Sequence, residues 1–492
     1  MEPNPPARRP RPFLLLLALV VLSAAMPACQ RQLMRAPVMF HQSQADPFDQ
    51  LPESKRTPAA TIFYATNRTA DPESTEEPYG RARAAALTLG RLEVEIGKQL
   101  GWEQLIDKTL GPRNSDRPPL HIEPPHEFGP LLTTAPPRVI RQAAAANQTD
   151  EDASEKDLQV RFMPRLDPGR GAFRFGDAIN REMAETQHPD IYVYVHGYRN
   201  SYSDAVESAA SLHHYNGRRG AVIAFSWPSQ KHLLDYLEDR ESAQFAVSDL
   251  RQLLVFLADH TDAERIHLIA HSMGTFLTSN ALRELRLIGF EKSPEELHER
   301  FRIDNVVLVA PDIDVDVLQK RFFREGFHHS ARRLTIYVSP DDQALAWATR
   351  LLYGISRAGS VTGDYLSETQ QLWLKAHRES VAIVDISGQK TYGLGHSHHT
   401  ENPGVASDLL LLLAHDLPPA KRGLRLAPRT GVWSFPEGYT PEVQRIAERY
   451  YPPRTSASTA RKLGAPRPAN PDPDPDPETL TPPRSPSPAA AP

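Results

Sequence analysis

Short apolar runs alternate with helical patterns along the middle of the chain, and this alternation limits the possible fold more than any other feature. The runs Ala60–Tyr64, Ile191–Val195, Ala221–Phe225, Arg265–Ala270, Asn305–Ala310, Leu334–Val338 and Val381–Ile386 each read as a buried strand. Helical spacing separates most of them, over Ser203–Tyr215, Ala243–His260, Thr275–Leu287, Val315–Arg324 and Gln343–Leu352. A last helix is predicted over Pro403–His415, where proline suits the first turn. Strands alternating with helices imply an α/β fold, a mainly parallel sheet with helices on both faces. In such sheets reactive groups collect at the carboxyl ends of the strands.

The 492 residues exceed what one such domain needs, and the surplus lies at the ends and in one insertion. Arg8, Arg9 and Arg11 precede a nearly pure apolar run, Phe13 to Met26, followed by Ala28 and Cys29. That order matches an export signal over residues 1–28, because a permanent membrane helix needs about 20 apolar residues. Cys29 is the one cysteine, so no intramolecular disulfide or thiolate cluster can form. Its position resembles a bacterial lipobox, although Met26 and Pro27 depart from the usual residues. The resemblance implies lipidation of Cys29, and Gln30 after it implies an outer-membrane location facing the periplasm. Residues 29–58 read as a lipid-anchored tether, 59–420 as the folded domain, and about 112–155 as an irregular insertion rich in proline pairs. Residues 421–452 form a C-terminal extension. The Pro/Asp-rich stretch 453–492 is expected to be disordered, since it lacks the apolar surface to offset its ordering entropy. Net charge is −5 and no Lys/Arg-rich block stands out, which argues against nucleic acid as a partner. Oligomeric state is left open.

After the strand Arg265–Ala270 comes His271-Ser272-Met273-Gly274 and then a helix. A serine on a sharp strand-to-helix turn, with small residues two positions either side, is the context of a nucleophile elbow. Ala270 and Gly274 are those small residues; the first departs from the usual glycine. An ordinary serine helix cap is the rival explanation. The strand Ile191–Val195 ends in His196-Gly197-Tyr198, the kind of loop that supplies a second oxyanion donor. The expected donors are the backbone N–H groups of Tyr198 and Met273, with His196 read as a loop-bonding residue.

An elbow of this kind belongs to the α/β-hydrolase fold, in which the acid and then the histidine follow the nucleophile. Asp342 follows the strand Leu334–Val338, and His396 lies in the loop after Val381–Ile386. Asp342 would orient the imidazole and His396 would take the serine proton. Asp312, after the preceding strand, is the rival acid. His398 and His399 are rivals to His396 or, with it, a transition-metal cluster lacking a matched second group of ligands. The pairs His213-His214 and His328-His329 are expected at the surface. Trp227, Tyr236, Trp347 and Trp373 are candidates for a pocket wall, with core packing an equal alternative. No cofactor or metal is called for.

Taken together, Tyr194-Val195-His196-Gly197-Tyr198, Phe225-Ser226-Trp227-Pro228-Ser229, Ile269-Ala270-His271-Ser272-Met273-Gly274, Ala310-Pro311-Asp312, Val338-Ser339-Pro340-Asp341-Asp342 and Gly395-His396-Ser397 resemble a bacterial family of esterase-like α/β-hydrolases long labelled a domain of unknown function. Ile62-Phe63-Tyr64-Ala65-Thr66-Asn67-Arg68 is similar to the first strand of that family. The likeness runs from about Arg56 to Leu417. It implies the acid at Asp342 and the base at His396, and leaves the substrate open. The expected activity is a serine carboxylic ester hydrolase, esterase- or lipase-like, working through an acyl-enzyme. An amidase or thioesterase with the same machinery, or a non-catalytic envelope binding protein on the same fold, are the alternatives.

Overall fold

The computed structural model describes residues 31–134 and 166–453, apart from 42, 75–76, 111–116, 231, 233–234, 343–344, 346–355, 361–365 and 388–397. Cys29, Trp347 and His396, most of the helix expected over Gln343–Leu352, and the proline-rich tail beyond Pro453 therefore lie outside the described residues.

The strands, in chain order, are β1 (Ala59–Ala70), β2 (Tyr79–Ile96), β3 (Leu120–Ile122), β4 (His126–Pro130), β5 (Leu132–Thr134), β6 (Leu166–Pro168), β7 (Asp190–Val195), β8 (Ala221–Ser226), β9 (Arg265–His271), β10 (Ile303–Val309), β11 (Arg333–Val338), β12 (Val381–Asp385), β13 (Arg425–Leu426) and β14 (Trp433–Ser434). Among the described residues, twelve of them form one sheet in the order β13-β14-β12-β11-β10-β9-β7-β8-β1-β2-β3, with β4 also on β2. β8, β7, β9, β10, β11 and β12 run parallel to their neighbours, and β1 joins β8 in parallel. β2 returns antiparallel on β1. The α/β-hydrolase architecture expected from the sequence is the one found.

Every residue of β7, β8, β10 and β11 is buried, which is why these strands are near-continuous apolar runs. Side chains still alternate between the two faces. Ile191, Val193 and Val195 enter one core with the helices Arg170–Thr186, Val247–His260 and Met273–Ile288. Tyr192 and Tyr194 enter the other, with the helices Tyr202–Tyr215, Pro403–His415 and Tyr439–Tyr450. The helix expected over Ala243–His260 begins at Tyr236 and is broken at Ala246 into Tyr236–Phe245 and Val247–His260.

Three expectations need correction. The stretch read as an irregular insertion over about 112–155 carries β3, β4 and β5, and the first two pair with β2, extending the main sheet. Residues 31–58, read as a tether, are packed: Leu33, Met34, Met39, Phe40 and Phe48 are buried in the second core. The Met39 amide donates to Ser407 Oγ at 3.1 Å, and Phe40 meets Tyr451 edge-on at 5.5 Å between ring centres. The C-terminal extension closes over the same face, where Arg422 pairs with Asp408 and both are fully buried. His213 and His214 are not at the surface; both are buried on the helix Tyr202–Tyr215. The helix ends against the packed segment, where the ring of His214 lies 5.0 Å from that of Phe48.

Candidate active site

The chain passes from β7 to its neighbour β8 and then returns to the opposite side of β7 for β9. At this reversal the loops after β7 and β9 diverge to opposite faces and leave a crevice at the carboxyl edge of the sheet. Ser272 stands there. It follows β9 directly, with φ 52° and ψ −122°, and the helix Met273–Ile288 starts at the next residue. Such a backbone conformation costs a non-glycine residue ~1–3 kcal/mol and persists only where the surroundings impose it. The imposing contacts are the Ser272 amide on the Val309 carbonyl at 2.9 Å, and its carbonyl accepting from the Thr275 amide at 3.0 Å and hydroxyl at 2.6 Å. The Ser272 side chain makes no capping bond to its helix, which removes the ordinary cap as the reason for a serine here.

Both glycines of the site are required by close backbone approach. A β-carbon on Gly274 would collide with the carbonyl oxygens of His196 and Val195, the latter at 2.7 Å. One on Gly197 would lie 2.9 Å from Cβ of Ser272 and 2.9 Å from Nδ1 of His271. The loop after β7 is thus laid directly over the elbow. Met273 is the first residue of its helix, where the amide has no intrahelical acceptor. Tyr198 follows Gly197 on the overlying loop, half-buried, with its ring 5.7 Å from that of Tyr236.

His196 is fully buried and stacked on Trp227, with 4.9 Å between rings and 8° between planes. His196 Nδ1 lies 2.7 Å from the Gly197 carbonyl, which can only accept, so Nδ1 carries the proton and Nε2 of the neutral ring accepts from the Trp227 amide at 3.1 Å. The Trp227 indole N–H returns a bond to the His196 carbonyl at 2.8 Å. Burial, and then the charge of Arg68, push the His196 imidazole down to about 3. A neutral histidine bound on both nitrogens agrees with a loop-bonding role.

Asp342, after β11, is fully buried, and its Oδ1 accepts from the Leu345 amide at 3.0 Å. Asp312, the rival, follows β10 and is buried too. Its carboxylate accepts the Tyr236 hydroxyl at 2.9 and 2.8 Å and lies 3.2 Å from Arg357 Nε, close enough for an ion pair though not aligned as a hydrogen bond. Asp312 is therefore engaged beside the elbow, its amide 3.4 Å from the Ser272 carbonyl. Of the candidate histidines, His399 is buried in the second core, its Nε2 3.0 Å from the Tyr194 hydroxyl and its ring 4.6 Å from His271. Trp227 and Tyr236 are buried in the first core, and Trp373 packs against that core and stacks on His377 at 3.9 Å, so core packing accounts for all three. Sequence reasoning missed Asp239, whose carboxylate accepts the Gln230 amide at 2.6 Å and the Ser229 hydroxyl at 2.8 Å and so holds the loop after β8. Among the described residues, no group of three or more His, Cys, Asp or Glu is placed to hold a metal ion. Nor is any described helix long and apolar enough to cross a membrane.

Sheet order, elbow and overlying glycine loop together define an α/β-hydrolase. Residues 172–413 match the family described as alpha/beta hydrolase of unknown function (DUF900). An uncharacterised protein of Nostoc sp. strain PCC 7120 is 28% identical over 25% of this chain, and the match spans 38% of that relative's length. Among solved structures, the Pyrococcus furiosus esterase Pf2001 aligns over 40% of this chain and 73% of its own, at 13% identity and a TM-score of 0.20. A lipase-esterase related protein from Clostridium acetobutylicum aligns over 41% and 74%, at 11% identity and a TM-score of 0.18.

Proposed function

We propose that this hydrolase is a serine carboxylic ester hydrolase with Ser272 as nucleophile, Asp342 as acid and His396 as base. The observation that carries the reading is the strained backbone of Ser272, at φ 52° with a hydroxyl that caps nothing. Strain of this kind is kept where the side chain has work other than stability. In acylation, Ser272 Oγ bonds to the ester carbonyl carbon as its proton passes to His396. The oxyanion is held by the amides of Tyr198 and Met273, and the departing alkoxide takes the proton from His396. Water then releases the acid by the same steps in reverse roles. Asp342 is favoured over Asp312 because the latter is engaged by Tyr236 and Arg357.

The test is covalent labelling by a fluorophosphonate probe together with hydrolysis of p-nitrophenyl esters of increasing chain length. One labelled site, lost in Ser272→Ala along with hydrolysis, is the expected result. Equal labelling of Ser272→Ala overturns the assignment.

We further propose export and diacylglyceryl modification of Cys29, on the order of residues Arg8 to Cys29. Acyl chains contribute ~0.8 kcal/mol per buried CH₂, so two or more hold a protein firmly on a bilayer. Intact mass of the membrane fraction decides it, a free thiol being the contrary result.

A further inference from the structure

Strand β1 carries Arg68 near its end, and the side chain is buried to 1% exposure. Its guanidinium reaches three separate segments. Nε donates to Ser226 Oγ at 2.9 Å; Nη1 donates to the Gly80 carbonyl at 3.2 Å and the Ser229 carbonyl at 3.4 Å. Nη2 donates to the Asn200 carbonyl at 2.7 Å and lies 3.4 Å from His196 Nε2. Among the described residues no carboxylate forms an ion pair with it. Burial, then the charge of Arg81, pull Arg68 down to about 9, which still leaves it cationic at neutral pH. A buried cation without a counter-ion opposes folding, and this one is solvated by the Ser226 hydroxyl at the end of β8, the Gly80 carbonyl of β2 and the Ser229 and Asn200 carbonyls of the loops after β8 and β7.

We propose that Arg68 is a positioning residue for the oxyanion donor, acting on the Gly197–Tyr198 peptide through His196 and the Asn200 carbonyl. This rests on the reading of Ser272 and Tyr198 given above. Arg68 Nη2 and the Trp227 amide both present donors to His196 Nε2, which keeps that nitrogen unprotonated and leaves the proton on Nδ1. Nδ1–H holds the Gly197 carbonyl at 2.7 Å. That carbonyl and the Tyr198 N–H belong to one planar peptide, so fixing the oxygen aims the N–H. At the far end of the loop, Arg68 holds Asn200. Between them Arg199 sits at φ 63°, a conformation uncommon without glycine, so the loop shape is imposed by its partners.

The experiment compares the full chain with Arg68→Met, Arg68→Lys, His196→Gln, the Arg68→Lys/His196→Gln double variant and Ser272→Ala. Turnover of p-nitrophenyl acetate is normalised to active sites titrated with a fluorophosphonate, so that unfolded protein does not count. Outright loss of an oxyanion donor costs ~10²–10³-fold, and a misaimed one should approach the lower figure. Arg68→Met is therefore expected to lose about 10²-fold in kcat with KM within about threefold, and Arg68→Lys to recover about tenfold of that. Phenylboronic acid, whose serine adduct carries the oxyanion, should weaken in step with kcat. Losses in the double variant should not multiply, because both residues act on one peptide. If Arg68→Met does not fold, Arg68→Lys and the cycle with His196→Gln carry the decision. Unchanged kcat per titrated site, or fully multiplicative losses, overturns the inference while Ser272→Ala remains inactive. If Ser272→Ala is as active as the parent, the hydrolase assignment itself fails and this inference falls with it.

Discussion

Gly197 leaves no room for a side chain against Ser272: a β-carbon on the glycine would stand 2.9 Å from Cβ of the serine. Gly197→Ala must therefore push the loop after β7 off the elbow. A misplacement of about 1 Å in a catalytic group costs ~10²-fold. The expected outcome is a fall of that order in kcat/KM on p-nitrophenyl acetate, with an intact circular dichroism spectrum. Parent-like kinetics would mean the loop is not part of the site.

Ser272→Gly and Ser272→Ala should both be inactive but should differ in stability. Glycine adopts positive φ without the penalty that a β-carbon brings, whereas alanine retains the strain. Relief of ~1–3 kcal/mol is expected. Thermal melting should place Ser272→Gly above both the parent and Ser272→Ala.

Asp342→Asn should fall close to the Ser272→Ala level, because a misoriented imidazole costs ~10⁴ in kcat. His396→Ala should do the same, and combining the two should not multiply the losses. Asp312→Asn should keep most of its turnover. It should instead lose stability, on the order of ~3 kcal/mol, because Arg357 is left buried without its counter-charge. Kinetics and urea unfolding on the same three proteins separate these roles. An inactive Asp312→Asn beside a healthy Asp342→Asn would move the acid to the end of β10.

His213 gives a pH signature. Burial, then the charges of Arg218 and Lys55, push it down to about 3, far below its ordinary value near 6.5. Below pH 6.5 the unfolded chain therefore binds a proton at this site that the folded chain refuses. Its stabilising contribution is full above pH 6.5 and is lost at ~1.4 kcal/mol per pH unit as the pH falls toward 3. Urea unfolding at pH 7, 6 and 5 should show His213→Gln losing stability less steeply than the parent by about that slope. Parallel curves would place the imidazole in water.

What could be read in the chain was local or continuous. β7, β8, β10 and β11 were legible because burial on both faces makes them unbroken apolar runs. The elbow was legible because all its requirements fall within Ala270 to Gly274. β2 was not, since residues of its first half face solvent and carry Arg81, Arg83 and a run of alanines. Leu33 to Leu51 escaped because an irregular segment can be buried without any periodicity. The histidines of Tyr202–Tyr215 misled because that helix is covered on nearly every side, so a polar residue no longer marks the exposed face. Arg68 was out of reach for another reason: most of its partners, at Ser226, Ser229, His196 and Asn200, lie more than 120 residues away.

If Cys29 carries the proposed lipid, the packing of Leu33 sets how far the domain could stand from a membrane. Leu33 is fully buried in the second core, only four residues beyond Cys29. At ~3.3–3.6 Å per residue, four residues span at most about 14 Å of extended chain. Under the proposed lipidation, the domain would thus ride on a short leash at the headgroup layer instead of sampling a wide volume. Esters within or just above that leaflet would be in reach, whereas those bound to distant envelope layers would have to diffuse to it.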